Sequence, residues 1–270
     1  MTRPCITLLT DFGLSDSYVG QMKGVIAAIN PEAIVVDLTH SIPPQQILAA
    51  AIALSDAVEA FPPGTIHVVV VDPGVGSARR AIATEIGSQR FVCPDNGLLS
   101  LILRRESLKR AVELDQPQWW RSAVSSTFHG RDLFAPVAAA WSLGRDLSEL
   151  GTPISVLVDL QIPEPTIRTF FAPATGEVRG EVLMVDHFGN LITNVSRKML
   201  PTATSVIDIT FRDLAPRITR CYADARPGEI VALFGSSQRL ELAVVNGNAA
   251  RQLGVGQGEP VVVRWKEVAQ

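Results

Sequence analysis

The 270-residue chain has no run of basic residues and no long apolar stretch. Lys and Arg number 24 against 27 Asp and Glu, so the formal net charge is -3 and there is no electrostatic footprint for nucleic acid or an anionic membrane. No segment approaches the roughly 20 apolar residues of a membrane span. The start, MTRPCITLLTDFG, lacks the apolar centre of a signal peptide. We therefore expect a soluble, cytoplasmic protein that acts on a small molecule, with no nucleic acid and no membrane partner.

Cysteine and metal-binding patterns are also scarce. The three cysteines, Cys5, Cys93 and Cys221, are widely spaced and form no CxxC pair, which disfavours a disulfide scaffold and a zinc site. The sequence has no HExxH, no HxH and no suitably placed DxD, so a metallohydrolase would rest only on scattered residues. The segment DPGVGSARR contains Gly-x-Gly but neither a GxGxxG nor a P-loop pattern. We predict no metal ion and no cofactor.

Apolar runs alternate with helical segments in the first half of the chain. Four runs are rich in β-branched residues, as is typical of strands buried on both faces: 5–11, 33–37, 65–72 and 90–94. Three segments have a helical pattern, and the first two are long enough to cross back over a parallel sheet: 18–30, 45–61 and 131–144. This alternation predicts an α/β domain over residues 1–151 with a mostly parallel central sheet.

Beyond residue 151 the pattern changes. Residues 152–178 are rich in proline and show little helical periodicity, so we interpret them as a segment that crosses into a second domain. Residues 179–270 contain short apolar runs separated by Gly, Asn, Asp and Pro, which predict a smaller β domain, either a sandwich or a barrel.

Three of the predicted amino-terminal strands end on an aspartate, at Asp11, Asp37 and Asp72. In open α/β sheets ligands bind beyond the carboxyl ends of the strands, so these carboxylates are expected at the functional edge. Each aspartate taken singly has an alternative role, since Asp after a strand often forms an Asx-turn or caps the next helix. The coincidence of three favours a site at this edge.

Two further segments concentrate polar and aromatic residues. TFHGRD places His129 before a predicted helix, where Asp132 has an ordinary alternative role as a helix cap. VDHFGNLITN places Asp186, Phe188 and Asn190 around a glycine turn. That turn suits a site for an aromatic ligand, but ordinary hairpin chemistry explains its Gly and Asn equally well. The residues alone leave both interpretations open.

Seven segments, taken together and in order, resemble one family. They are TDFGLSDSYVGQMKG, VVDLTHSIPP, VVDPGVGSARR, CPDNGLL, TFHGRD, VDHFGNLITN and GSSQRLELAVVNGNAA, and they extend from residue 10 to residue 250. The chain resembles the S-adenosyl-L-methionine hydrolases (adenosine-forming), also called SAM hydroxide adenosyltransferases, which are similar in fold to fluorinases and chlorinases. The resemblance implies an α/β domain followed by a β-barrel domain. It also implies a homotrimer with active sites between the first domain of one subunit and the second domain of its neighbour.

The resemblance further implies a reaction: S-adenosylmethionine and water give adenosine and L-methionine, by in-line attack of an activated water or hydroxide at the ribose C5′. The family's catalytic set falls on Asp72, Arg79 and His129, with Arg80 as the alternative guanidinium. Halide-using relatives lack this set, so the chain resembles a water user. A chlorinase-like halide adenosyltransferase and a non-catalytic sensor of adenosine or S-adenosylmethionine are the alternatives.

The resemblance also implies a set of substrate-binding residues. They are Asp11, Asp16, Asp186, Phe188, Asn190, Ser236, Asn246 and Gly247. Asp11 is implied at the ribose hydroxyls, and Asp16 and Asp186 near the methionine ammonium. Asn190 and the backbone near Asn246 and Gly247 are implied at the adenine. Ser236 is implied at the methionine carboxylate.

Overall fold

The structure, a computed structural model, describes residues 3–171, 174–201 and 205–267. The chain divides into two compact units, Met1–Gln161 and Ile162–Gln270. Within the described ranges, no helix is both long and apolar enough to cross a membrane.

The first unit alternates strands and helices. Its strands are β1 Cys5–Thr10, β2 Ile34–Thr39, β3 Ile66–Val70, β4 Ala81–Ile86, β5 Gln89–Pro94, β6 Leu108–Glu113 and β7 Thr152–Pro153. Its α-helices are α1 Tyr18–Ile29, α2 Ile47–Ala57, α3 Ser100–Leu103, α4 Ala135–Ser142 and α5 Leu147–Leu150. A π-helical turn, Gly130–Phe134, leads directly into α4, and 3-10 turns cover Val58–Ala60 and Pro117–Trp119. The predicted strands and the predicted helices that begin at 18 and 45 are confirmed.

The sheet of the first unit is mixed, so the prediction of a mostly parallel sheet is wrong. The strand order is β2-β1-β3-β5-β4-β6-β7. β1 pairs in parallel with β2 and β3, and β3 pairs in parallel with β5, whereas the pairings β4–β5, β4–β6 and β6–β7 are antiparallel. Only Gly87 and Ser88 separate β4 from β5. Two residues can close a hairpin but cannot make the crossover that a parallel pair needs.

Apolar burial on both faces stabilises the central strands of this sheet, whereas β2, at its edge, is exposed or partly exposed along its whole length, so the expected burial of 33–37 on both faces is wrong. All of β3 is buried, as its continuous apolar run predicts. Helix α1 buries Val19, Met22 and Ile26, and α4 buries every residue from Ala135 to Trp141. Each large apolar side chain buried in this way contributes about 1.5–3 kcal/mol to folding. Because β1 and β3 are parallel, the loops that follow them begin at the same edge of the sheet.

The second unit is built almost entirely of strands. They are β8 Thr166–Phe171, β9 Ala174–Val185, β10 Leu191–Ser196, β11 Ser205–Thr210, β12 Arg217–Ile218, β13 Ile230–Phe234, β14 Arg239–Val244 and β15 Pro260–Glu267. Its short helices are α6 Ala249–Leu253 and the 3-10 turns Arg197–Met199 and Tyr222–Asp224.

The strands of the second unit form one curved sheet. Their order is β11-β15-β9-β10-β14-β13-β12, with β8 paired to β9, and only the β12–β13 pair is parallel among the described pairings. The end strands β11 and β12 lie near each other, so the sheet is nearly barrel-shaped. Its interior is apolar and includes Val178, Leu191 and Phe211, each fully buried. The mixed α/β class is therefore confirmed.

Candidate active site

Asp72 and Arg79 form the centre of a polar cluster in the first unit. Asp72 follows β3, and two tight turns, closed by Val75 N–H to the Asp72 carbonyl (3.2 Å) and by Ser77 N–H to the Gly74 carbonyl (3.1 Å), bring the chain back. The Arg79 Nε donates to the Asp72 Oδ1 and Oδ2 at 3.0 and 2.9 Å, and its Nη2 donates to Oδ2 at 2.5 Å. Because both side chains are almost buried, at 5% and 11% exposed, this forked ion pair is shielded from water.

His129 is the third member of this cluster. Its Nδ1 lies 2.7 Å from the Arg79 Nη2. A guanidinium can only donate, so Nδ1 accepts, the imidazole is neutral and its hydrogen is on Nε2. Burial and the positive charge of Arg79 lower the pKa of His129 below 6.5, although Asp72 and Asp132 oppose the shift. The cluster therefore holds His129 neutral with one defined tautomer.

A glycine positions the two loops that carry this cluster. Gly76 has φ +77°, in the left-handed region, and a Cβ there would lie 2.5 Å from the Ser126 carbonyl oxygen. The turn after Asp72 therefore packs against the segment that leads to His129 only because residue 76 has no side chain.

Arg80 has different partners from its neighbour Arg79. Its Nη2 donates to the Asp95 carboxylate and to the Val156 carbonyl, the latter at 2.8 Å. Asp95 is nearly buried, with its side chain 2% exposed, and also accepts from the Val158 N–H at 2.8 Å. Of the two adjacent arginines, the structure thus brings Arg79 to Asp72, while Arg80 fastens the segment around residue 157.

Asp132 is a buried anchor and not the helix cap that the sequence suggested. Its side chain, 0% exposed, accepts from Arg131 Nε at 2.6 Å, Arg121 Nη1 at 3.0 Å and Ser125 N–H at 2.9 Å. Burial alone would raise the pKa of Asp132, but these hydrogen bonds and charges hold it at about 2. Asp132 therefore stays ionised and fixes the loop before His129.

A cavity of about 240 Å³ opens beside the cluster. Its lining residues include Asp11, Gln45, Asp72, Phe128 and His129. The Asp11 Oδ2 accepts the backbone N–H of Gln45 at 2.8 Å, and Gln45 has φ +65°. Asp16, also predicted from the resemblance, is exposed and lies outside this lining. Asp11, Asp72 and His129 therefore share one cavity.

A second cavity, of about 810 Å³, lies in the second unit. All the predicted residues of this unit line it: Asp186, Phe188, Asn190, Ser236, Asn246 and Gly247. The Asp186 Oδ1 accepts the backbone N–H of Phe188 at 2.9 Å and of Asn190 at 2.8 Å, while Oδ2 accepts the Asn190 Nδ2 at 2.8 Å. The segment is thus a tight turn that also presents side chains to a cavity, with Phe188 72% exposed.

Among the lining residues of this second cavity that sequence reasoning missed are Tyr222 and Glu241, which contact each other. The Tyr222 hydroxyl donates to the Glu241 Oε2 at 2.9 Å and lies 3.4 Å from the Asn190 Nδ2. Burial raises the pKa of both groups, and the carboxylate of Glu241 raises that of Tyr222 further. A glutamate inside the apolar strand RLELAVV was the available signal. Gly235 makes room for it, because a Cβ there would overlap the Glu241 carboxylate.

Among the described residues, no group of three or more His, Cys, Asp or Glu side chains is arranged to hold a metal ion. Two carboxylates near His129 are occupied by guanidinium groups instead, Asp72 by Arg79 and Asp132 by Arg121 and Arg131.

Comparison with known proteins agrees with this arrangement. Residues 6–151 match the model of the SAM hydroxide adenosyltransferase N-terminal domain, and residues 180–262 match that of the C-terminal domain. An (R)-S-adenosyl-L-methionine hydrolase from Salinispora tropica is 39% identical over 95% of this chain and 96% of its own. One from Thermus thermophilus is 38% identical over 95% and 98%. A crystal structure of a conserved protein from Thermotoga maritima superposes with a TM-score of 0.87 at 34% identity, covering 96% of this chain and 99% of that one. The resemblance seen in the sequence is confirmed, and the chain belongs to the SAM hydroxide adenosyltransferase family.

Proposed function

We propose that this protein hydrolyses S-adenosyl-L-methionine to adenosine and L-methionine. One observation carries the proposal: a single buried guanidinium holds both a carboxylate, Asp72, and a neutral imidazole, His129, at the edge of a cavity. Relatives 38–39% identical over 95% or more of the chain bear the name of this hydrolase.

The reaction needs a nucleophile more than it needs an acid. The substrate carries a sulfonium, so methionine departs as a neutral thioether and requires no proton. The enzyme must place a water in line behind C5′ and remove one of its protons. The new bond joins the water oxygen to C5′, and the C5′–S electron pair returns to sulfur. This balance calls for no cofactor, and the absence of one stays a prediction.

The hydrogen-bond geometry suggests how the groups divide this work. His129 has its Nδ1 on Arg79, so its Nε2–H is left to donate to the water oxygen. Asp72 is then the acceptor for the departing proton, either directly or through a relay. Arg79 holds both groups and offsets negative charge that develops on the oxygen. A positioned acid–base group of this kind typically contributes about 10²- to 10⁴-fold in rate.

The same geometry favours water over a halide. Water donates to the Asp72 carboxylate and accepts from the His129 Nε2–H, so it satisfies both groups. Chloride can only accept, and the nearly buried carboxylate would repel it. This argues for a hydrolase and against a chlorinase-like transferase. A measurement of turnover distinguishes the hydrolase from a non-catalytic sensor.

We propose that the two cavities bind different parts of the substrate. Asp11 would bind the ribose hydroxyls, Asn190 with the backbone of Asn246 and Gly247 the adenine, and Ser236 the methionine carboxylate. Asp16 and Asp186 would lie near the methionine ammonium. Asp186 already accepts three N–H groups of its own turn, so its part in ammonium binding is expected to be secondary.

We further propose a homotrimer in which the first unit of one subunit and the second unit of its neighbour complete each active site. The supporting observation is that the groups suited to chemistry and those suited to base recognition line separate cavities, one in each unit. Light scattering would measure the assembly. Mixing Asp72→Asn and Asn190→Ala chains and reassembling them should restore part of the activity if sites are shared. The closed barrel and the cytoplasmic location stay predictions.

The test of the function is product analysis. Purified protein is incubated with S-adenosylmethionine, with and without chloride and a chelator, and the products are identified by liquid chromatography and mass spectrometry. Equal amounts of adenosine and methionine, unaffected by the chelator and lost in His129→Ala, are expected. A chlorinated nucleoside would assign the halide reaction instead, and binding without turnover would assign a sensor.

A further inference from the structure

In the second cavity, the orientation of the Asn190 side-chain amide matters for the recognition of a ligand. This inference rests on the proposed function, in which the cavity receives the purine. An amide can present either its NH₂ donors or its oxygen acceptor to a ligand, and the two choices select opposite chemistry. Asn190 is 5% exposed and lines the cavity, so the end of its amide that faces the cavity is the end that a ligand meets.

Two neighbours determine the orientation of this amide. The Asp186 carboxylate can only accept, and its Oδ2 lies 2.8 Å from the Asn190 Nδ2. The Tyr222 oxygen lies 3.4 Å from the same nitrogen. Both hydrogens of the NH₂ group therefore point at protein acceptors. In the described part of the chain no group donates to the Asn190 Oδ1, so the oxygen is the end available to a ligand.

Glu241 sets the polarity of Tyr222 in turn. The Tyr222 hydroxyl spends its single hydrogen on the Glu241 Oε2 at 2.9 Å, so its oxygen can face Asn190 only as an acceptor. Glu241 is itself 9% exposed, and the missing side chain of Gly235 leaves the space for its carboxylate. A buried carboxylate costs folding free energy, so its place beside Tyr222 calls for a role.

We propose that Asp186, and Glu241 acting through Tyr222, fix the Asn190 amide with its oxygen toward the cavity, so that the site selects a 6-amino purine over a 6-oxo purine. The amino group of adenine donates to the Asn190 oxygen. The 6-oxo group of hypoxanthine would oppose one acceptor with another and leave both without a partner. Tyr222 and Glu241 are thus positioning residues that act on specificity.

The experiment measures the affinities of adenosine and inosine for the full-length protein by titration calorimetry. The wild type is expected to bind adenosine about 10²-fold more tightly or better. Tyr222→Phe and Glu241→Leu each remove a bond in the relay, and each should lower the adenosine-to-inosine ratio by about 3- to 10-fold. Glu241→Gln keeps a carbonyl acceptor for the Tyr222 hydroxyl and should retain most of the ratio. Tyr18→Phe, in the chain's other tyrosine, is the matched hydroxyl deletion and should leave the ratio unchanged.

The ratio separates positioning from general damage. A variant that is partly unfolded loses sites for both nucleosides equally, so its ratio stays at the wild-type value. Equal affinities in the wild type, no binding of adenosine, or one ratio shared by all variants would overturn the proposal. Because binding needs no turnover, the expected pattern without hydrolysis would reject the proposed function and support the inference. Hydrolysis with an invariant ratio would do the reverse.

Discussion

Replacing Arg79 by lysine tests whether one guanidinium must hold Asp72 and His129 together. Lysine keeps the positive charge beside Asp72 but replaces a planar fork by a single ammonium. Arg79 makes three contacts to the Asp72 oxygens and one to the His129 Nδ1. An ammonium at this position can retain one contact to the carboxylate but cannot span both partners with the same geometry. We expect the orientation of His129 to be lost.

The magnitude follows from the bonds removed. A hydrogen bond to a charged group is worth about 1.5–3 kcal/mol, and the variant loses the His129 bond and one arm of the carboxylate fork. If about half of that acts in the transition state, the barrier rises by about 1.5–3 kcal/mol. Since 1.36 kcal/mol is tenfold in rate, kcat for S-adenosylmethionine should fall about 10- to 10²-fold. KM should change less, because Arg79 is not among the residues that line the cavity.

Arg80→Lys is the matched control for this measurement. Arg80 also pairs with a nearly buried aspartate, Asp95, but has no contact with Asp72 or His129 among the described hydrogen bonds. Steady-state kinetics and urea unfolding on both variants separate the roles. Arg79→Lys should lower kcat strongly, and Arg80→Lys should lower the free energy of unfolding with kcat near wild type. Equal losses of kcat in the two variants would refute the reasoning.

Three further outcomes are expected. Because the pKa of His129 is lowered below 6.5, kcat/KM should stay high as the pH falls past 6.5. It should drop only when His129 gains a proton and its hydrogen bond to Arg79 is lost. The folding stability that neutral His129 contributes is present above pH 6.5 and is lost over the same acidic range. His129→Asn keeps an acceptor for Arg79 but does not titrate, so an unchanged acidic limb in that variant would assign the limb to another group. Asp132→Asn removes the charge from a buried carboxylate that two partly exposed guanidinium groups contact, and should lower the free energy of unfolding by about 1.5–3 kcal/mol in urea titrations; a change under 1 kcal/mol would contradict the anchoring role. Gly76→Ala combines a left-handed φ with a close approach to Ser126 and should cost about 1–3 kcal/mol while lowering kcat, whereas wild-type values of both would show that the loops pack independently.

The sequence predicted the position of the site better than its internal contacts. Strands that end on Asp11 and Asp72 were recognisable from their apolar runs, and parallel topology placed their ends at one edge. The same pattern also singled out Asp37, which instead pairs with Lys23 at 2.6 Å and lies outside both cavity linings. The position of an aspartate at the end of a strand places it at one edge of the sheet. Its partner depends on which loop packs against it.

Some contacts and one strand pairing became clear only in the three-dimensional structure. Arg79 and Arg80 are adjacent and chemically identical; the resemblance favoured Arg79, and the two turns after Asp72 show how Arg79 returns to that carboxylate. A strand was predicted at 90–94 but none at β4, which pairs with β5 through a connection of only two residues. Tyr222 and Glu241 are 19 residues apart, and they meet because the turn after β12 carries Tyr222 and β14, two strands away, carries Glu241.

In both cavities a charged neighbour fixes which end of an ambiguous side chain faces the cavity. Imidazoles and amides are ambiguous groups, since each can offer a donor or an acceptor to a ligand. In the first unit the donor-only guanidinium of Arg79 takes the His129 Nδ1 and leaves a donor for the cavity. In the second unit the acceptor-only carboxylate of Asp186 takes the Asn190 NH₂ and leaves an acceptor. A fixed donor beside Asp72 suits water, which can accept and donate at once, and a fixed acceptor suits an amino group. A substitution that frees the orientation of His129 or Asn190 should therefore lower selectivity more than affinity. The shape of the cavity and its apolar contacts would remain, while its fixed hydrogen-bonding polarity is lost.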